Sequence, residues 1–294
     1  MALKLLNKFL AHKDTIQYLD VNKRGDRLVT GCFDETMSLW NLETDEKIWT
    51  VTGNFMSCEA VAFSPDGSLI ASGGGGVHLW DTTSGMKIKD LRGHSNWVFT
   101  LAFSRCGEYL ATGSMDNTII IWNVKTHEKM RILYGHFNSL YHVYFSPDNS
   151  FLISSSRDNT ALLWDWKNGE RIKIIEAHED WVYASVMSPK NKTIITASND
   201  NTLRKTSTDK WEVEQVLNGH TNAIMTMDIS MDEKFLVSGG RDEKLILWDC
   251  KSGTILGSQK QDGMILGAVF SKDGKRIYSG GTDKHVYVWE VDVK

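Results

Sequence analysis

One polar constellation recurs along this chain with a period of about 42 residues, and a repeat of that length constrains the fold before composition is considered. Tryptophans stand at Trp40, Trp80, Trp122, Trp164, Trp248 and Trp289. Six residues before the tryptophan position stand Asp34, Asp116, Asp158, Asp200, Asp242 and Asp283. A hydroxyl precedes each aspartate by four residues, at Thr30, Thr112, Ser154, Thr196, Ser238 and Ser279. Twenty-two residues before the first five aspartates are His12, His94, His136, His178 and His220. Random sequence does not hold three offsets fixed over five units.

Within each unit, apolar runs of four to six residues alternate with turn clusters such as Ser64-Pro65-Asp66-Gly67 and Ser146-Pro147-Asp148-Asn149, the pattern of short strands. No helical stripe of useful length is present. Four strands per unit make one small antiparallel sheet, which cannot bury both its faces alone, so neighbouring units must stack. A length of 294 residues would otherwise suggest about two ordinary domains. The segment Ala2 to Leu10 matches the run that precedes each later histidine, for example Lys87 to Leu91 before Gly93. After Trp289 only Glu290 to Lys294 remains, too short for a further strand and turn. The first segment is therefore expected to supply the outer strand of the last unit, which removes an open sheet edge.

The pairs Gly93-His94, Gly135-His136, Gly219-His220, Trp80-Asp81, Trp164-Asp165 and Trp248-Asp249 resemble those of the WD40-repeat family, and the resemblance covers essentially the whole chain. It implies an all-β fold: residues 1–294 as one seven-bladed β-propeller of four-stranded antiparallel blades, with residues 2–10 completing blade 7. It also implies that the turn aspartate accepts from the histidine, which in turn bonds the hydroxyl and the strand tryptophan. Histidine, aspartate and hydroxyl together invite a catalytic-triad reading. An enzyme needs one such set, whereas a repeated fold needs one per blade, so the five histidines are assigned to structure and no enzyme is expected.

The remaining histidines, His78, His127, His142 and His285, have no cysteine or histidine at ligand spacing, and Cys32, Cys58, Cys106 and Cys250 lie far apart. No metal and no cofactor are expected. Gly73-Gly74-Gly75-Gly76 lacks the Lys-Ser/Thr of a phosphate loop, and a shortened hairpin explains it. A net charge of −4 offers no field for nucleic acid or acidic lipid, and no apolar run is long enough for a membrane helix. The expected setting is the cytoplasm or nucleus, as a monomeric propeller within a hetero-complex.

The units also differ from one another. Blade 2 has Asn54 in place of histidine and lacks the turn aspartate, blade 7 has Lys260-Gln261 in place of Gly-His, and blade 5 has Thr206 in the tryptophan slot. Drift in blades held by their neighbours explains these departures. In the family, the residues three and five after the histidine, with the one before the turn aspartate, face the channel entrance. Strand alternation puts the first two on one face.

The large or cationic side chains in that set are Phe33, Trp97, Phe99, Met115, Tyr141, Arg157, Trp181, Tyr183, Met225 and Arg241, concentrated on blades 3 to 5 with Phe33 and Arg241 nearby. These residue types are enriched at binding hot spots. The expected function is a protein-interaction scaffold that holds a peptide or partner loop with an acidic or apolar anchor. The run from Gly93 to Phe99 also resembles one repeat of a histone-tail-reading propeller. A histone-tail or modified-peptide reader would need an aromatic cage with an acidic partner, for which Glu59 is the candidate.

Overall fold

The structure, a computed structural model, describes residues 2–52, 56–188 and 193–292; Asn54, the histidine position of blade 2, lies outside them, as does the tail of Val293 and Lys294. Among the described residues, strands form seven four-stranded antiparallel sheets. Blade 1 runs from an inner strand, Ile16–Val21, through Arg27–Cys32 and Met37–Asn41 to an outer strand, Lys47–Val51. Each inner strand packs against the inner strand of the next blade, and that of blade 7, Ile265–Phe270, against that of blade 1, so the sheets close a ring. Blade 7 takes its outer strand, Leu3–Leu10, from the start of the chain, paired antiparallel with His285–Val291. The expected closure is present.

The core lies in the seams between blades. Seven apolar clusters are found among the described residues, each joining two neighbours, as where Val29 and Leu39 of blade 1 meet Val61 and Trp80 of blade 2. Strands two and three of a blade are therefore covered on both faces and read as nearly continuous buried runs, while outer strands such as Lys47–Val51 stay half-exposed. Close approach of blades needs small residues in the second strand. A Cβ at Gly31 would meet the Cys58 carbonyl at 2.8 Å, and one at Gly73 the Val98 carbonyl at 2.9 Å. Inner strands also bond across seams. Thr100, His142 and Thr226 accept the main-chain N–H of Val143, Ser185 and Ala268, and Asp20 and Asp228 accept those of Phe63 and Phe270.

The repeated polar set forms one network in each of blades 1 and 3 to 6. In blades 3 to 6, histidine Nδ1 lies 2.8–2.9 Å from the turn aspartate, and Nε2 lies 2.7–2.8 Å from the hydroxyl. The expected histidine–tryptophan bond is not made. Instead the indole N–H donates to the same hydroxyl, at 2.9 Å in Trp122–Thr112 and 2.8 Å in Trp164–Ser154, because a hydroxyl can serve both rings at once. Such a satisfied buried network orders a corner that has few apolar contacts.

The degenerate blades are compensated, not merely drifted. In blade 7 the Tyr287 hydroxyl reaches Asp283, and Lys8 sits 4.7 Å over the Tyr287 ring. In blade 2, His78 bonds Asp90 at 2.6 Å and packs edge-on to Trp80. In blade 5, Arg204 reaches Asp200 at 3.3 Å. Tyr287, His78 and Arg204 all stand two residues before the tryptophan position, where blades 3, 4 and 6 carry Ile120, Leu162 and Ile246. The four-glycine run forms the shortened hairpin, with Gly73 paired to Val77.

Candidate functional site: the rim of the channel

The hairpin directions place the histidine corners and the turns between second and third strands at one mouth of the ring. At this mouth the fifth residue after each histidine position, namely Gln17, Glu59, Phe99, Tyr141, Tyr183, Met225 and Leu266, is the extra residue of a β-bulge in its inner strand. A bulge re-aims one side chain, and it does so here in all seven blades, where alternation alone was expected to set the direction. Together these seven residues line a cavity of about 180 Å3 at the channel entrance.

The other two rim positions are tied by the main chain. The N–H of the residue before the turn aspartate donates to the carbonyl of the residue three after the histidine, at 2.8 Å from Met115 to Trp97, 2.9 Å from Arg157 to Ser139 and 2.8 Å from Arg241 to Ala223. This bond fixes each arginine or methionine beside its neighbour on the same blade.

Four aromatic rings from blades 3, 4 and 5 are continuous. Tyr141 stands 6.1 Å from Phe99, 6.3 Å from Trp181 and 4.8 Å from Tyr183, measured between ring centroids. Arg157 sits over the Trp181 ring at 4.2 Å, and Arg241 donates to the Tyr183 hydroxyl at 3.1 Å. Burial pushes the Tyr183 hydroxyl up to about 12 and raises that of Tyr141, while both guanidiniums act on both phenols in the opposite sense. Burial likewise raises the Glu59 carboxyl across the cavity. The patch therefore combines stacked rings with two fixed positive charges.

Not every expected rim residue joins it. Phe33 is half-exposed on blade 1, with blade 2 between its blade and that of Phe99. Trp97 and Met115 lie beside the cluster on blade 3, and Met225 lines the cavity. Tyr183 is only 5% exposed, so it supports the surface rings and is not itself an open contact. Among the exposed aromatics at this mouth that were missed is Phe137 on blade 4, 86% exposed. Its signal was legible, since it directly follows His136 where the other histidines are followed by Lys13, Ser95, Glu179 and Thr221.

Comparison with known proteins gives matches over most of the chain. A model of the echinoderm microtubule-associated protein second β-propeller matches residues 16–187, and the WD domain, G-beta repeat model matches residues 211–249 and 251–290. Autophagy-related protein 16 of Arabidopsis thaliana is 34% identical over 111 residues, which cover 36% of this chain and 21% of that protein. The WD repeat-containing protein SL1-17 of Schistosoma mansoni is 28% identical over 121 residues, 40% of each chain. The Lissencephaly-1 homolog of Caenorhabditis briggsae is 28% identical over 109 residues, covering 35% of this chain and 27% of that one. In each case the match spans less than half of the relative's length.

Proposed function

This chain belongs to the WD-repeat β-propeller family, and on that premise we infer that it is a non-enzymatic platform which holds a peptide or loop of a protein partner at the aromatic rim. Propellers of this family generally mediate protein–protein interactions within complexes. The observation that carries the reading is the run Phe99–Tyr141–Trp181 roofed by Arg157 and buttressed by Arg241. Rings held rigid by packing supply contact area at low entropic cost, and a guanidinium can take a carboxylate through two parallel bonds. The favoured anchor is an apolar or aromatic side chain beside an acidic one. Trp97, Met115 and Phe137 extend the surface, and Phe33 offers a second contact across the mouth.

A second reading, a reader of a cationic or modified peptide side chain, rests on Glu59 sharing the entrance cavity with Phe99, Tyr141 and Tyr183. Two guanidiniums against one carboxylate whose ionisation burial opposes weigh toward the acidic anchor. A random peptide library displayed on phage and selected on the intact protein separates the two. Enrichment of Asp or Glu next to an apolar residue, lost on an Arg157→Ala/Trp181→Ala variant, is expected. Enrichment of Lys or Arg, lost on Glu59→Gln, would replace it with the second reading. Peptides indifferent to all three substitutions would place binding elsewhere.

A further inference from the structure

The polar corner of blade 1 departs from its counterparts, and the departure is chemical. In blades 3, 4 and 5 a serine stands two residues before the turn aspartate, at Ser114, Ser156 and Ser198. Each accepts the aspartate N–H and donates to a main-chain carbonyl. Blade 1 has Cys32 there, fully buried, with its sulfur accepting the Asp34 N–H at 3.3 Å. The larger sulfur comes with an opened network. His12 Nδ1 is 3.5 Å from Asp34, against 2.8–2.9 Å for the same pair in blades 3 to 6, and it turns to Thr36 Oγ1 at 2.8 Å. Among the described residues, only here do histidine, cysteine and carboxylate ligand atoms converge, all within 4.8 Å of one another.

The geometry points to a site for a borderline-soft divalent cation of the zinc type, held by His12 Nδ1, Cys32 Sγ and the Asp34 carboxylate, with water as the fourth ligand. Nitrogen, thiolate and carboxylate are the donor set such ions prefer, and tetrahedral ligand atoms stand about 3.5 Å apart, so the corner closes by about 1 Å as Thr36 swings off the imidazole. The remaining ring nitrogen already has its outer partner. His12 Nε2 bonds Thr30 Oγ1 at 2.7 Å, and Thr30 is itself held by the Trp40 indole at 2.9 Å, which fixes the ring for ligation. For ligation through Nδ1 the imidazole takes its Nε2–H tautomer, in which Nε2 donates to Thr30 Oγ1 and the Thr30 hydroxyl donates to the Ser38 carbonyl. Cys32 is a thiol that loses its proton to solvent as the sulfur–metal bond forms, and no electrons change hands.

The site goes beyond the proposed peptide rim and does not depend on it. Cys32 and Asp34 flank Phe33, so the ion would clamp that exposed ring at the mouth of blade 1. Titration of the intact protein with cadmium ion, read by thiolate-to-metal charge-transfer absorption, tests the assignment. Wild type and Cys106→Ser, which removes the exposed thiol, are expected to saturate at one equivalent, with zinc ion displacing the cadmium. Cys32→Ser, which installs the residue found in blades 3 to 5, is expected to lose the band while melting as a folded protein. Asp34→Asn should weaken binding by about tenfold or more. No saturable band in the wild type, or a band that survives Cys32→Ser, would overturn the assignment.

Discussion

The Tyr287 hydroxyl donates to the Asp283 carboxylate at 2.7 Å, in the blade whose histidine position holds Gln261. Tyr287 stacks on Trp289 with ring planes 5° apart, and Trp289 still donates to Ser279 at 2.7 Å. The aspartate and hydroxyl thus keep their roles while the aromatic partner reaches them from the third strand. Lys8, on the strand contributed by the start of the chain, covers the same ring.

Removing that hydroxyl leaves Asp283 with a lost charge-assisted bond. Tyr287→Phe is expected to destabilise the protein by about 1.5–3 kcal/mol, read as a lower denaturant midpoint with unchanged slope. A change near zero would show that Lys8, 3.6 Å from Asp283, suffices alone.

Blade 5 offers the opposite sign. Thr206 occupies the tryptophan slot, and its buried hydroxyl has no hydrogen-bond partner. The seam it should fill receives Trp211, packed with Ile153, Leu163 and Ile194 under Lys173, as a compensating ring. Trp211 pays for this with φ +60, at the turn position where Gly85, Gly169 and Gly253 stand in other blades. Thr206→Val keeps the shape and removes the orphan hydroxyl, so it should stabilise by roughly 1 kcal/mol, seen as a higher thermal midpoint. A drop in the midpoint would mean that the hydroxyl has a bonded water.

Acid sensitivity should trace in part to His142. Burial brings its pKa down to about 4, and Nδ1 accepts the Ser185 N–H at 3.4 Å, so the folded form is neutral. Between the ordinary histidine value of about 6.5 and 4 the unfolded chain binds a proton that the folded chain refuses. Stability therefore falls as pH falls through that window, by about 3 kcal/mol in all. His142→Thr copies Thr100 and Thr226, which make the same inter-blade bond without titrating. Denaturation midpoints at pH 7 and pH 4.5 should differ less in the variant than in the wild type; equal differences would remove His142 from the account.

Ring closure predicts the strongest effect. Deleting residues 2 to 10 strips blade 7 of its outer strand, removes Leu3 from the seam core and takes Lys8 from Tyr287. The product should aggregate or melt without cooperativity. Cooperative melting at an unchanged temperature would show that the strand adds nothing to the ring.

The repeat by itself determined the four-strand unit and the need to stack it, and together with the family resemblance the seven blades and the closure by Ala2 to Leu10, because each unit fills one sheet and the last unit lacks an outer strand of its own. It also singled out the rim positions, since residues at one register of a repeated strand must share one mouth. The tertiary structure decided what those positions do. Phe99, Tyr141 and Trp181 lie 42 and 40 residues apart in sequence, and only the rotation from blade to blade brings their rings to about 6 Å. Burial of Tyr183, replacement of histidine by Tyr287 and convergence of His12, Cys32 and Asp34 are likewise contacts between strands. Spacing along the chain records which strand a residue occupies; the direction its side chain takes is set by bulges, seam packing and the size of its neighbours.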